Sequence, residues 1–337
     1  MKKVTVIGTT AWGTTLGIML ASRGIEVKLW ARTEEEASRL NTARENTAHL
    51  PNVHFPKSLR VSASPAEALQ GAELTILAVP AQTMRGNLSL IKQHFWKSTS
   101  ILSVSKGIEI ETTKRMTEVI AEELAPTFRD RIATLSGPNF SKEVSQGLPT
   151  ATVIASTNIE VAKTIQQAIS SPNFRAYIND DIIGVELGGA LKNVMALAVG
   201  MSDGLGFGDN SRAALITRGL TEITRLGVAA GANPLTFAGL AGIGDLVATC
   251  TSQLSRNRFV GQELAKGRPL EEILSSMSGI AEGVDTTIAA LRLARGLKVE
   301  MPIAEQVYQV LFKGLEVKKA VPALMERELK HELDLDA

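Results

Sequence analysis

The 337-residue chain has little of several features that often indicate a function. Its one cysteine, Cys250, excludes an intrachain disulfide, which is typical of proteins in a reducing compartment. Aromatic residues make up only 4% of the chain, too few for platforms that stack single-stranded nucleic acid. The 36 Lys and Arg residues nearly balance the 35 Asp and Glu residues, so no overall attraction to nucleic acid or an anionic membrane is expected. Any anion site must therefore be local.

The chain also lacks the usual signatures of metal and serine chemistry. None of its four histidines, at positions 49, 54, 94 and 331, lies in a ligand spacing with cysteines or carboxylates, so no metal site is predicted. No G-x-S-x-G nucleophile elbow occurs. A general acid or base, if one is needed, is therefore expected to be a lysine.

Neither an export signal nor a membrane span is predicted. Met1-Lys2-Lys3 leads directly into an apolar strand without a cleavage site. The most apolar later stretch, residues 182–201, is interrupted by Glu186 and Lys192 and is interpreted as a buried helix. Together with the single cysteine, these features predict a cytoplasmic protein.

Strand and helix patterns alternate through the first half of the chain. Continuously apolar strands are predicted at residues 4–7, 27–30, 74–79, 101–104, 132–135 and 151–155. Helices are predicted at 11–23, from 34, and at 67–70, 81–93 and 112–124, and residues 46–60 are predicted to be a loop. Such alternation indicates an α/β fold with a Rossmann-like, doubly wound and mainly parallel sheet covered on both faces.

The pattern changes near residue 180, where long Leu-, Ala- and Gly-rich helical segments replace the β-branched runs. We therefore predict two domains. Residues 1–179 form a dinucleotide-binding Rossmann-like domain, and residues 180–337 form an all-α substrate and catalytic domain. The tail, 325–337, is predicted to be a polar helix end.

The first predicted turn reads Gly8-Thr9-Thr10-Ala11-Trp12-Gly13. Gly8 and Gly13 fit the glycines of a dinucleotide motif that make the tight bend and let the helix pack on the strand. Thr10 stands where the second glycine lets the backbone approach a pyrophosphate, and its side chain is expected to push the pyrophosphate outward. The free amides of the helix start remain an anion site. The alternative is a βαβ unit that binds nothing.

Arg32 stands near the end of the second strand, where NAD-preferring folds place an acid roughly 20 residues after the glycine turn. A guanidinium cannot accept a hydrogen bond from a ribose hydroxyl, but it can bind a 2′-phosphate. Arg32 therefore favours NADP over NAD. The alternative is a solvated surface arginine.

Lys192 lies in an apolar helical run, after Gly188, Gly189 and Ala190, where a ligand can come close. It is a candidate proton donor. Because burial of a lone ammonium is costly, a partner is expected, and Asp245 in a glycine-rich turn is the candidate. The alternative is a lysine whose ammonium reaches water from a helix surface.

Two further groups of residues suit an anionic ligand. Ser255-Arg256-Asn257-Arg258 precedes a predicted helix at 259–266 and could hold a phosphate, although such helix starts are also common solvated faces. Lys106 and Gly137-Pro138-Asn139 each follow a predicted strand, at the sheet edge where ligands bind. Gly-Pro-Asn is also ordinary turn chemistry.

Together these motifs resemble the bacterial-type NAD(P)-dependent glycerol-3-phosphate dehydrogenases. The resemblance covers essentially the whole chain, in the order Gly8…Trp12-Gly13, Leu29-Trp30-Ala31-Arg32, Ser105-Lys106-Gly107, Leu135-Ser136-Gly137-Pro138, Glu186-Leu187…Ala190-Leu191-Lys192-Asn193-Val194, Gly242…Gly244-Asp245-Leu246…Thr249-Cys250, Ser255-Arg256-Asn257-Arg258 and Glu282-Gly283-Val284. It implies reversible hydride transfer between NADP or NAD and dihydroxyacetone phosphate, giving sn-glycerol 3-phosphate for glycerophospholipid synthesis. A homodimer is expected, because helical second domains often dimerise.

The resemblance also implies roles for individual residues. Lys192 is implied as the catalytic proton donor and acceptor. The implied substrate contacts are Lys106, Gly137, Asn139, Lys192, Asp245, Ser255, Arg256 and Asn257. The implied cofactor contacts are Gly8, Thr10, Ala11, Trp12, Gly13, Arg32, His49, Lys106, Ser141, Arg256, Ile280 and Glu282. Two positions depart from the family, which usually has glycine in place of Thr10 and serine in place of Asn139.

Two other functions stay open. A related dehydrogenase could act on a hydroxy acid without phosphate, which would not need the basic helix start at Ser255. A nucleotide sensor without catalysis would explain the replacement of glycine by Thr10. For an enzyme, the active site is expected in the cleft between the domains.

Overall fold

The computed structural model describes residues 1–326. Residues 327–337, which include His331 and most of the predicted polar helix end, lie outside the described part. The chain divides into two compact units, one formed by Met1–Lys106 and Met116–Ile182 and the other by Gly107–Arg115 with the chain from Ile183 onward.

The first unit is organised around a sheet at the centre of an α/β arrangement. The strands are β1 (Lys3–Ile7), β2 (Glu26–Trp30), β3 (Glu45–Asn46), β4 (Leu50–His54), β5 (Leu59–Ser62), β6 (Leu74–Leu77), β7 (Ser100–Ser103), β8 (Ile132–Ser136), β9 (Thr150–Ala155) and β10 (Phe174–Asn179). Among the described residues, eight of them form one sheet in the order β10-β9-β8-β7-β6-β1-β2-β5. All its pairings are parallel except β8 with β9. The predicted Rossmann-like fold class is confirmed.

Helices cover this sheet on both faces. They are α1 (Ala11–Ala21), α2 (Glu34–Ala43), α3 (Pro65–Leu69), α4 (Met84–Ile91), α5 (Met116–Glu123), α6 (Ser141–Ser145) and α7 (Ile159–Ile169). Neighbouring residues of one strand enter different apolar clusters: Val6 packs with Leu16 and Leu29, and Ile7 packs with Met84 and Leu88. This is why the strands read as continuous apolar runs.

The prediction of a loop over residues 46–60 is wrong. The segment contains β4 and β5, and β5 pairs in parallel with β2, with Leu59 opposite Val27. β3 and β4 form a separate antiparallel hairpin. These strands escaped notice because β5 has only four residues at a sheet edge, and β4 contains Pro51 and Asn52 with an exposed pattern.

The second unit is helical within residues 183–326. Its helices are α8 (Ile182–Gly204), α9 (Asp209–Ala229), α10 (Asp245–Thr251), α11 (Arg256–Ala265), α12 (Leu270–Ser275), α13 (Glu282–Leu297), α14 (Pro302–Lys313) and α15 (Val317–Met325). By length and composition alone α8 could cross a membrane despite Glu186 and Lys192, but 83% of its most apolar window is buried within the protein. Such burial is typical of a core helix and agrees with the buried helix that the sequence predicts.

Residues 107–115 belong to the helical unit although they lie far from it in the sequence. Ile108 is fully buried in the helical core. Arg115 Nη1 lies 2.7 Å from Glu186 Oε2 of α8, and Arg292 Nη1 donates to the Ile110 carbonyl at 2.8 Å. An apolar anchor and two cationic contacts therefore fix this segment to the helices.

Candidate functional site

The turn between β1 and α1 requires its first and last glycines. Gly8 has φ +106°, and a Cβ there would lie 2.7 Å from the Ala78 carbonyl oxygen. A Cβ on Gly13 would lie 2.5 Å from the Gly8 carbonyl oxygen. Both contacts are too short for a side chain, so the tight bend and the close approach of α1 depend on these two glycines.

Thr10 is the N-cap of α1, and its side chain turns back onto the protein. Its Oγ1 accepts from the Gly13 amide at 3.1 Å and donates to the Ala78 carbonyl at 2.9 Å. The hydroxyl proton is therefore engaged within the turn and is not available to a pyrophosphate. Thr10 therefore occupies one helix-start amide, that of Gly13, which is then not open to a ligand.

The remaining groups at the start of α1 suit an anionic ligand. The amides of Ala11 and Trp12 have no intrahelical acceptor, and the helix dipole adds positive potential there. The buried Trp12 Nε1 finds no hydrogen-bond partner among residues 1–326. The two open backbone amides fit the pyrophosphate of a dinucleotide.

The β3–β4 hairpin is fixed to the glycine turn by Asn46. Its Nδ2 donates to the Thr9 carbonyl at 2.7 Å and to Thr14 Oγ1 at 2.9 Å. Thr9 Oγ1 in turn donates to Glu36 Oε1 at 2.6 Å. His49 lies exposed in the connection between β3 and β4, on the hairpin that Asn46 fixes to the turn. His49 belongs to no recognisable sequence motif.

Arg32 and Lys106 both lie just beyond the carboxyl ends of strands. Arg32 follows β2, is exposed, and donates to Asn87 Oδ1. Lys106 follows β7, and its Nζ donates to the Gly137 carbonyl at 2.8 Å and to Asn139 Oδ1 at 2.9 Å. The structure thus brings together three of the predicted substrate residues, Lys106, Gly137 and Asn139.

Asn139 connects Lys106 to the sheet. Its Nδ2 donates to Thr152 Oγ1 of β9 at 3.2 Å, so its amide oxygen faces Lys106. A serine at this position would have a shorter reach. Ser141, at the start of α6, lies near α1, because its carbonyl accepts from Thr15 Oγ1 at 3.4 Å.

Lys192 of α8 is buried with two partners on α10. Its Nζ donates to Asp245 Oδ1 and to Thr249 Oγ1, each at 2.6 Å. The Lys192 side chain is only 7% exposed, and its ammonium has a third N–H left to donate. Asp245 was the predicted partner, whereas Thr249 was not singled out as one. An i,i+4 spacing places Asp245 and Thr249 on the same face of α10.

Glycines allow this close approach of α8 and α10. A Cβ on Gly188 would lie 2.5 Å from the Ala241 carbonyl oxygen. Gly242 has non-helical dihedrals, φ −96° and ψ −107°, just before α10 begins. Gly188 therefore lets the chain before α10 contact α8. The kink at Gly242 then directs the start of α10 so that Asp245 reaches Lys192.

Cys250 lies beside this group but is chemically inert. It is fully buried on α10. Desolvation by this burial raises the pKa of its thiol to about 12, and the Lys192 charge offsets only part of the effect. The thiolate needed for nucleophilic or redox chemistry is therefore absent at neutral pH.

The helix start at Ser255 is held mostly by contacts within the protein. Ser255 Oγ accepts from the Arg258 amide at 3.2 Å as the N-cap of α11. Asn257 bridges two elements, donating to Asn193 Oδ1 and accepting from the Gly283 amide, each at 2.9 Å. Arg258 contacts the buried Asp203 carboxylate at 2.7 Å. These residues shape the helix start and keep it in place.

Arg256 is the exposed cation of this helix start. Its guanidinium packs so closely on Gly279 that a Cβ there would lie 2.3 Å from Nη1. Desolvation by the surrounding protein lowers the pKa of Arg256, and the Glu282 carboxylate at the start of α13 opposes this effect. Ile280, between Gly279 and Glu282, is 48% exposed. The predicted residues Arg256, Ile280 and Glu282 therefore lie in one region of the helical unit.

These observations define a class of protein. A glycine turn with open helix-start amides belongs to a dinucleotide-binding unit, and a buried lysine held by a carboxylate is suited to proton transfer at a carbonyl. The fold and site are those of an oxidoreductase that uses a nicotinamide dinucleotide.

Comparisons with known proteins specify the family. Residues 3–162 match the family model described as NAD-dependent glycerol-3-phosphate dehydrogenase N-terminus, and residues 181–322 match that described as its C-terminus. A protein of Dehalococcoides mccartyi named glycerol-3-phosphate dehydrogenase (NAD(P)+) is 53% identical over 334 residues, 99% of this chain and 93% of that protein. One of the same name from Moorella thermoacetica is 49% identical over 333 residues, 99% of this chain and 98% of that protein.

A solved structure agrees with these sequence matches. The crystal structure of glycerol-3-phosphate dehydrogenase from Coxiella burnetii has a TM-score of 0.92 with this chain at 36% identity, covering 97% of this chain and 99% of the other. The chain belongs to the NAD-dependent glycerol-3-phosphate dehydrogenase family.

Proposed function

We propose that the protein catalyses reversible hydride transfer between NAD(P)H and dihydroxyacetone phosphate, giving sn-glycerol 3-phosphate that supplies glycerophospholipid synthesis. The nicotinamide supplies or accepts the hydride when the cofactor is bound. The observation that carries the proposal is the buried Lys192, held by Asp245 and Thr249 at 2.6 Å each in a chain of this family.

Lys192 is proposed as the general acid at the substrate carbonyl. Two of its N–H groups are directed at Asp245 and Thr249, which fixes the direction of the third. That third N–H can polarise the carbonyl oxygen and deliver a proton to the developing alkoxide. In the reverse direction the neutral amine takes the proton from the hydroxyl. Asp245 stabilises the ammonium and orients it.

Arg256 is proposed as the phosphate anchor. It is exposed beside Gly279, and its planar fork suits a phosphate dianion. Binding energy from a remote phosphate can position the reacting carbonyl. Lys106 with Gly137 and Asn139 adds polar contacts to the substrate. Ser255 and Asn257 support the anchor, because the structure engages both side chains in holding α11.

The glycine turn is proposed to bind the dinucleotide. Gly8 and Gly13 make the bend, and the amides of Ala11 and Trp12 bind pyrophosphate oxygens. Arg32 binds a 2′-phosphate, which favours NADPH. Further contacts to the cofactor are proposed for His49, Ser141, Ile280 and Glu282.

One assay tests the activity. Purified protein is mixed with dihydroxyacetone phosphate and either NADPH or NADH, and the cofactor absorbance is followed. We expect turnover with NADPH faster than with NADH, and turnover lowered by about 10²–10⁴-fold after Lys192→Ala. Binding of NADPH without any turnover would instead support a nucleotide sensor, the alternative that the Thr10 hydrogen bond to Gly13 favours. Turnover only with the keto form of a hydroxy acid that lacks phosphate would refute the proposed substrate.

We further propose a cytoplasmic homodimer. The exposed apolar side chains of Val228 and Leu235, 45% and 77% accessible on the helical unit, would be covered in a dimer. The single cysteine suits the cytoplasm. Light scattering coupled to size-exclusion chromatography should give twice the chain mass, and a concentration-independent monomer would refute the dimer.

A further inference from the structure

A chain of hydrogen bonds connects Arg32 to the carboxyl end of β6. Arg32 donates through Nε and Nη2 to Asn87 Oδ1, at 3.2 and 3.1 Å. Asn87 Nδ2 donates to the Thr83 carbonyl at 2.7 Å and to Thr83 Oγ1 at 3.1 Å. Thr83 Oγ1 donates to the Pro80 carbonyl at 2.9 Å. Each donor in the chain is matched to an acceptor.

Asn87 is a buried residue, unlike a surface side chain that contacts an arginine by chance. It is only 2% exposed, on α4. Because both of its Nδ2 bonds go to Thr83, its amide oxygen must face the opposite way, toward Arg32. A buried amide with satisfied donors has one orientation, so it holds the exposed guanidinium in one place.

The geometry leaves part of the guanidinium open. Arg32 contacts Asn87 through the edge of the guanidinium formed by Nε and Nη2. The second edge, formed by Nη1 and the other proton of Nη2, remains able to donate to a ligand. That second edge is the fork that binds a phosphate through two parallel bonds. Asn87 is also neutral, so it orients Arg32 without cancelling its charge, as a carboxylate would.

We infer that Asn87 is a positioning residue that orients Arg32 for a 2′-phosphate and thereby sets the preference for NADPH over NADH. This inference rests on the proposed function, in which Arg32 binds the 2′-phosphate. Asn87 acts through Arg32 and does not itself touch the cofactor. Thr83 fixes the amide of Asn87, so it contributes to the same preference.

Fluorescence titration of the full chain with NADPH and with NADH tests the inference. Asn87→Asp should weaken NADPH binding by about tenfold or more, because a carboxylate pairs with Arg32 and repels the phosphate. Asn87→Ala should weaken NADPH binding by about fivefold. NADH affinity should change by less than about twofold in both, since NADH has no 2′-phosphate. Ser89→Ala, an exposed substitution on the same helix, should leave both affinities unchanged.

A second pair of variants covers the case in which the buried Asn87 changes prevent folding. Thr83→Val removes the hydroxyl that contacts Asn87, and Thr83→Ser keeps it. Only Thr83→Val should lower the NADPH to NADH affinity ratio. An unchanged ratio in the folded variants, or equal loss of both affinities, would overturn the inference. Failure of the proposed function looks different, since the unmodified chain would then bind NADPH without reducing dihydroxyacetone phosphate.

Discussion

The two lysines proposed at the substrate are held in contrasting ways. Lys106 in the sheet unit donates to two neutral oxygens, those of Gly137 and Asn139, at 2.8 and 2.9 Å. Lys192 in the helical unit donates to the Asp245 carboxylate and a hydroxyl, both at 2.6 Å. The sheet unit makes its site from backbone groups and neutral dipoles at strand ends, whereas the helical unit uses buried charge. Substitutions in the helical unit should therefore have the larger effects.

The largest effect is expected for Lys192. Lys192→Met removes the proton donor and should lower kcat by about 10²–10⁴-fold, the usual contribution of a positioned general acid. Lys106→Met should instead act mainly on the KM for dihydroxyacetone phosphate. Steady-state kinetics of the two variants separates these roles. A larger loss of kcat in Lys106→Met would reverse the comparison.

The next effect concerns Arg256. Removing a phosphate anchor with Arg256→Ala should raise the KM for dihydroxyacetone phosphate by an amount equivalent to roughly 2–4 kcal/mol. Arg256→Lys should recover only part of this, because an ammonium cannot form the two parallel bonds. Kinetics over a wide substrate range provides the measurement, and an unchanged KM in Arg256→Ala would rule out the anchor.

Arg258, two residues further along the same helix, should affect stability instead. Its guanidinium contacts the buried Asp203 carboxylate, which Arg212 also contacts. Arg258→Ala leaves this buried carboxylate with less compensation and should lower the free energy of unfolding by about 2–3 kcal/mol. Denaturant unfolding measures the loss. We expect little change in KM at temperatures where the variant is folded, and a large rise would assign Arg258 to the substrate.

Thr10 provides a smaller test in the sheet unit. Thr10→Ala removes the N-cap of α1 and should lower stability by about 1 kcal/mol, while Thr10→Ser should not. Thr10→Gly should lower stability by only a few tenths of a kcal/mol. It also frees the Gly13 amide and should tighten dinucleotide binding with little change in substrate affinity. Unfolding curves and cofactor titrations test both parts, and a weaker cofactor Kd in Thr10→Gly would contradict the second.

The smallest effect is a dependence of stability on alkaline pH. The pKa of Cys250 is raised from 9.0 to about 12 in the folded protein, so between these values the unfolded chain loses a proton that the folded chain keeps. Stability therefore falls as pH rises through this window, by about 1 kcal/mol between pH 7 and 9.5 from this group. Unfolding of the original chain and of Cys250→Ala at both pH values isolates the contribution. Equal pH dependence in the two proteins would show that the thiol titrates normally.

Sequence patterns predicted the features that follow from neighbouring residues in the chain or from a buried charge that needs a partner. Gly8 and Gly13 could be recognised because a strand, a tight bend and a helix follow one another directly. A partner for Lys192 could be predicted because a buried ammonium needs one, and Asp245 lies beside it in the structure. Continuous apolar strands predicted the parallel sheet, although the antiparallel β9 leaves no signature in its own sequence.

Distant contacts that no buried charge requires could not be predicted in this way. Asn87 becomes recognisable only when α4 is placed beside Arg32, because an asparagine within a helix carries no signal. The sequence predicts that the Thr10 side chain pushes a pyrophosphate outward, and only the position of the Ala78 carbonyl shows that this side chain turns back onto the protein. β5 was missed because a short edge strand takes its register from β2.

The segment Gly107–Arg115 makes the helical unit discontinuous along the gene. During synthesis this segment leaves the ribosome well before α8. Ile108 can therefore be buried only after the helical core that surrounds it has formed. An expressed fragment that starts at Ile183 would lack that side chain and the Arg115 partner of Glu186. Truncated or fused proteins meant to isolate the helical unit therefore need residues 107–115 supplied, for example by joining them ahead of Ile183 through a flexible linker.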